Sequence, residues 1–195
     1  MTKKNKEKII ESVNIIKGSD YLDFKSDAQY IKDLSVENPN SPFSFFASEK
    51  PEIGVGISID IKHIHNYIYE NTIRAEIKAF NVNEHNNKED NYYNKQDNKD
   101  NKDNILGNSK DIVFIIDIKY SGLFTIQGLN PDDISGNELA ERTLFVECPK
   151  ILFPSLRDII IDLSSKSGYP PVILNIINFE EMYQNGRKNI IMKKK

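Results

Sequence analysis

His63 and His65 stand two residues apart, a spacing that puts both imidazoles on one face of an extended strand, and Glu70 follows close behind. Two histidines and a carboxylate can hold a divalent ion, provided a further ligand comes from elsewhere in the chain. The remaining histidine, His85, falls in a stretch without strand pattern, so two polar residues closing a strand before the Asn66-Tyr67 turn is the better account. Cys148 is the only cysteine, with Glu147 before it, Pro149 after it and no cation placed to lower its pKa. That makes it a small core residue rather than a nucleophile. A single cysteine also excludes an intramolecular disulfide framework and a cysteine-rich zinc site, and suits a reducing compartment. The acid pairs Asp132-Asp133 and Glu180-Glu181 sit where helix starts attract carboxylates. The chain has no P-loop, GxGxxG, GxSxG or HExxH motif. The sequence therefore predicts a protein that is not an enzyme and needs no cofactor.

The elements that must position these residues are strands first and helices later. Residues 1–26 read as a flexible arm with one amphipathic turn around Ile9 to Ile16. From Tyr30 the pattern becomes alternating, with Leu34 and Val36 opposed to Asp33, Ser35 and Glu37. The segment 38–52 carries three prolines together with Phe43, Phe45 and Phe46, more apolar surface than a connector needs. A second strand alternates Val55, Ile57, Ile59 and Ile61, and a third Ile73, Ala75, Ile77 and Ala79. Residues 83–109 are Asn, Asp and Lys with few apolar side chains, a low-complexity insertion in a hairpin. The fourth strand, Asp111 to Tyr120, turns Ile112, Phe114, Ile116 and Ile118 one way and Val113, Ile115 and Asp117 the other, before an expected turn at Ser121-Gly122. Then the period becomes helical. Pro154 suits a first helical turn, Leu156, Ile159, Ile160 and Leu163 form a stripe, and Gly168 is placed to end the helix. A last helix starts at Asn178 with Glu181 three residues on. Four antiparallel strands followed by two main helices predict an α+β domain, with both helices on one face of the sheet, over 27–186.

Charge separates function classes. Of 26 basic side chains, nine lie in residues 3–8 and 187–195, the latter a basic C-terminal tail, leaving residues 9–186 with 17 basic against 28 acidic side chains and a net charge of -11. A body that acidic repels phosphate backbones, which excludes a dedicated nucleic-acid binder and favours a basic protein partner. No apolar run approaches the roughly 20 residues that cross a bilayer, and no signal peptide is legible, so the expected location is the cytoplasm. The solvent face bearing Asp33, Glu37 and Asp117, with Ile115 among them, has the make-up of a docking patch for a basic partner carrying an apolar anchor. An ordinary solvated sheet face accounts for the same residues.

The runs AQYIKDLSVENPNSP, IIDIKYSGLFTIQGL, ECPKILFPSLRDII, SGYPP and IINFEEMY closely resemble the SecB family of bacterial protein-export chaperones, over residues 28–185 apart from the insertion. The most specific run is Cys148 to Pro154 followed by Arg157, with Lys32 to Pro42 close behind. The resemblance implies a four-stranded antiparallel sheet with two helices on one side, assembled as a homotetramer, a dimer of dimers. It implies a chaperone that holds unfolded precursor proteins competent for translocation and delivers them to the SecA motor without using ATP. It places the SecA-binding surface on Asp33, Glu37, Ile115 and Asp117, and the client groove on Phe43, Phe45, Phe46 and Tyr169. Two departures stand out. Ser155 and Leu156 follow Phe153-Pro154 where the family commonly has Tyr and Ala, and the chain ends in a basic tail where many relatives end in an acidic one. Two other readings compete: a SecB-like chaperone devoted to one client, such as a toxin-antitoxin component, and a cupin-like metal protein built on His63 and His65, which share in part the spacing of the first cupin metal motif.

Overall fold

The computed structural model describes residues 15–16, 20–46, 50–81, 112–129, 132, 134 and 137–193. The insertion at 83–109 and most of the 1–26 arm lie outside them. Among the described residues there are five strands: β1 (Ile15–Ile16), β2 (Phe24–Glu37), β3 (Glu52–His65), β4 (Ile68–Phe80) and β5 (Ile112–Ile126). They form one antiparallel sheet in the order β1-β2-β5-β4-β3, in which β1 adds two residues to four long strands. The helices are α1 (Glu138–Arg142), continued by a π turn at Thr143–Glu147 into α2 (Cys148–Lys166), and α3 (Phe179–Lys193).

Alternation makes one sheet face apolar. Ile73, Ala75, Ile77 and Ala79 of β4 and Phe114, Ile116 and Ile118 of β5 are all buried, and α2 contributes Leu152, Leu156 and Ile160 to the same core. Burying each large side chain of this set contributes about 1.5–3 kcal/mol. β5 does not turn at Ser121-Gly122 as the sequence suggested; it runs on to Ile126. Gly122 serves close approach instead, since a Cβ there would lie 2.7 Å from Leu152 Cδ2 and 2.8 Å from the Phe124 ring.

The second half of the expected arm joins the sheet. β2 begins at Phe24, which is buried against Tyr21 and Phe124 at ring separations of 5.9 and 6.0 Å, and the Leu22 amide donates to Thr143 Oγ1 at 2.8 Å. Irregularities at Ser26/Ala28 and Ile31/Asp33 break the alternation that would have revealed this strand. Val113, expected to point outward, is buried where the β4–β5 register shifts between Ala79 and Phe80. The long helix starts earlier than Pro154 suggested: Pro149 occupies its first turn and Pro154 lies inside it, on an exposed position. Its end is as expected, with Gly168 at φ 90 after the cap Ser167. Asn178 caps α3 by accepting from the Glu181 amide at 3.2 Å. α3 docks on the end of α1, beside the π turn, through Arg142–Glu180 at 3.1 Å and through Tyr183, which donates to Glu141 at 2.6 Å.

Candidate functional site

The helices leave part of the apolar sheet face uncovered. Between β3 and the connector from α2 to α3 lies an open groove of about 520 Å³. Ile53, Val55 and Ile57 of β3 form one wall, Tyr169 to Asn175 the other, and Phe114 belongs to the same lining. Ile53 and Val55 are 41% and 47% exposed, and Ile173 is 65% exposed. β3 is an edge strand, so the residues that alternate with its polar positions have no neighbouring strand to cover them. Among the described residues that line it, Lys50 and Asn175 alone carry a charged or amide group. Such a surface suits apolar side chains on an extended chain and has no set of polar groups to orient a small polar substrate.

Of the four residues expected here, the structure brings two together. Phe45 stacks on Tyr169 at 5.0 Å, and Tyr169 also meets Phe114 at 4.9 Å. The Tyr169 hydroxyl is hydrogen-bonded to Ser44 Oγ at 2.7 Å. Of the four, Tyr169 belongs to the groove lining itself and Phe45 reaches it through this stack, whereas Phe43 and Phe46 are 79% and 80% exposed and stand outside the lining. The resemblance assigns the segment between the helices to the groove through Tyr169, but the β3 wall and the connector's other residues are not among those the sequence singles out. Their signals were an alternating apolar strand with no later partner strand, and the Pro170-Pro171 pair, which cannot continue a helix.

On the opposite face, Asp33, Glu37, Ile115 and Asp117 come together across the β2–β5 pair. The rungs are Asp33 beside Lys119, Ser35 beside Asp117 and Glu37 beside Ile115. β4 continues these rungs with Arg74, Glu76 and Lys78. The face is therefore charge-mixed, where the sequence suggested acidic. Arg74 holds Asp117 through two hydrogen bonds, at 3.0 and 2.6 Å, and Lys119 holds Asp33 at 2.8 Å. Each bond keeps its carboxyl below the ordinary Asp range, through the donated hydrogen bond first. Glu37 accepts from Ser35 at 3.1 Å.

Further along this face Glu70 is buried and bridges strands: Lys32 reaches it at 2.5 Å, and the Tyr30 hydroxyl donates to its other oxygen. Burial would raise its pKa, but these two donors and their charge win and lower it. Tyr30 is pushed up to about 12, by burial and then by the bond to Glu70.

The histidines follow a different course. A register irregularity separates His63 from His65, so strand alternation no longer puts both rings on one face. His63 Nε2 pairs with the Asn66 carbonyl at 2.8 Å, and its ring lies on Tyr69 at 5.1 Å. Glu70 is committed to Tyr30 and Lys32, and among the described residues no three His, Cys, Asp or Glu side chains converge as a metal site would need. Cys148 is buried, and desolvation pushes its thiol well above the ordinary value. Among the described residues no helix is long and apolar enough to cross a membrane.

Comparison with known proteins places the chain in a family. The family described as preprotein translocase subunit SecB matches residues 19–189. The chain is 35% identical over 170 residues to the protein-export protein SecB of Ehrlichia ruminantium, covering 86% of this chain and 89% of the relative. It is 36% identical over 158 residues to that of Wolbachia pipientis wMel, covering 80% and 84%. In fold it is similar to a SecB-like chaperone of Mycobacterium tuberculosis, solved in complex with an antitoxin peptide. The TM-score is 0.51 at 12% identity, over 80% of this chain and 91% of that one.

Proposed function

The chain belongs to the SecB family and is a chaperone of protein export, and we propose that it holds non-native precursors in the groove between β3 and the α2–α3 connector. The observation that carries this is the exposed apolar wall of Ile53 and Val55 facing the connector. An isolated domain gains nothing from leaving such side chains in water; an unfolded segment gains about 25 cal/mol for each Å² of apolar surface it buries there. Binding is by surface burial alone, without ATP. The working location is the cytoplasm, and the working form is a homotetramer. Ile161, half-buried off the main helix stripe, and the exposed Leu34 and Val36 of β2 are apolar positions that a subunit contact would cover.

The opposite face, with Asp33, Glu37, Ile115 and Asp117, docks SecA. Its mixed charges shape that contact. Because Asp33 and Asp117 already have internal cations, a basic partner must compete with Lys119 and Arg74 for them.

One set of variants tests both surfaces. Val55→Asp should weaken binding of two unrelated unfolded precursors and leave SecA binding unchanged. Reversing Asp33, Glu37 and Asp117 to Lys should abolish SecA binding and spare the precursors. The opposite pattern would exchange the two surfaces. Loss of one precursor only would identify a chaperone devoted to a single client.

A further inference from the structure

The loop after β2 does more than flank the groove. Asn38 Nδ2 donates to the Ser167 carbonyl at 3.4 Å, and Asn40 Nδ2 to the Ile112 carbonyl at 2.8 Å, which ties the loop to the end of α2 and to the start of β5. Just after these anchors the 3-10 turn Phe43–Phe46 presents Ser44 to the Tyr169 hydroxyl and Phe45 to the Tyr169 ring. Beneath the Phe45 ring lies Gly168. Its φ of 90 is one that side-chain-bearing residues rarely adopt, and a Cβ there would stand 2.9 Å from Phe45 Cε1. The bare Cα thus ends the helix and leaves room for the ring. Beyond it the connector is fixed by Ser164, whose carbonyl accepts from the Tyr169 amide at 3.3 Å and whose Oγ accepts from the Val172 amide at 2.9 Å.

From this arrangement we infer that Phe45 is a positioning residue of the client groove: seated on Gly168 and stacked on Tyr169, it clasps the connector and holds the Tyr169 wall at its working distance from β3. The inference rests on the groove being the client site. It gives Phe45 a role distinct from that of Phe43 and Phe46, which are almost fully exposed and make no such stack. It also explains why Tyr169 offers clients its ring and not its hydroxyl. The oxygen is already engaged by Ser44, so the wall selects apolar side chains, without a demand for a hydrogen-bonding group.

The test uses the full chain and a fluorescent peptide with a Leu-Phe-Val-Leu core flanked by Ser and Gly. Phe45→Ala should weaken peptide binding about three- to tenfold, the range expected for losing an aromatic pair, mostly through faster dissociation. Phe45→Tyr should restore it and Phe45→Leu should not, with the thermal midpoint little changed throughout. In the peptide-free protein, hydrogen exchange at the Tyr169 and Val172 amides should quicken in Phe45→Ala. Gly168→Ala should reproduce the weakening by pushing the ring away. Val55→Asp serves as the control for the groove itself. If Val55→Asp lowers affinity while Phe45→Ala leaves it unchanged or raises it, the clasp is wrong and the groove stands. Full rescue by Phe45→Leu, or lower affinity with unaltered amide exchange, would also overturn it, the latter meaning that Phe45 touches the client directly. No effect of Val55→Asp would remove the groove and the clasp together.

Discussion

Pro149 has no N–H, and the π turn before it sends the Cys148 amide to the Thr143 carbonyl, so the Leu144 carbonyl is left without a helical donor. Asn71 supplies one from β4, its Nδ2 lying 2.5 Å from that oxygen, and both residues are completely buried. Asn71→Ala should therefore destabilise the fold by about 1–3 kcal/mol, the penalty for a buried carbonyl left without a partner. Chemical denaturation measures this, and a loss below about 0.5 kcal/mol, within the range of ordinary surface changes, would contradict it. Glu70 gives a pH prediction. Its folded pKa is lowered, so the stability it supplies is complete above the ordinary carboxylate range and is lost as pH falls through the lowered value. Tyr30 is raised to about 12, so its contribution is complete below its ordinary value of 10.0 and is lost as pH rises through about 12. Lys32→Met removes the stronger cation and should move the Glu70 titration upward, as read by carboxyl NMR; an unmoved titration would mean that Lys32 does not hold it. Neither residue announced itself in the sequence. Asn71 occupies an apolar-face position of an otherwise alternating strand, and Glu70 stood out only as a third ligand for the two histidines. Both roles depend on residues far along the chain, which alternation cannot reveal.

At the level of elements, legibility followed regularity. β4 was readable because Ile73, Ala75, Ile77 and Ala79 alternate without interruption, and the ends of α2 and α3 because Gly168 and Asn178 mark them chemically. The first half of β2 was hidden by two irregularities, and the far half of β5 by a glycine whose reason is the Leu152 side chain above it. Pro154 misled because a proline at an exposed helix position looks the same as one at a helix start. The β4–β5 pairing reaches Phe80 opposite Ile112, so the strand ends that the insertion joins already lie side by side. Deleting residues 84–108 and closing the hairpin with Asn-Gly should leave the sheet intact, since each halving of loop length changes the closure cost by only about 0.6 kcal/mol. Circular dichroism and a melting curve would show it. Loss of soluble protein on deletion would mean that the insertion is needed to fold the domain.

For the whole molecule, the proposed function divides between the two faces of the sheet. Its apolar face holds the helices and opens into the groove, and its charged face stands apart on the other side. The groove was only half legible, because Tyr169 and Phe45 meet through a loop-to-loop contact spanning more than a hundred residues of sequence, whereas the β3 wall required knowing which strand ends at the edge. The residues proposed for docking fall on one face by simple alternation, but Lys119 and Arg74 as internal partners of Asp33 and Asp117 depend on the cross-strand register. The central claim is that the groove is what keeps precursors from aggregating. The most direct measurement is light scattering of a denatured precursor diluted into buffer with the purified chain and no nucleotide. The native chain should suppress the scattering at near-stoichiometric ratio, and Val55→Asp should lose that suppression while keeping the native melting temperature. Equal suppression by the two, or none by the native chain, would contradict the account.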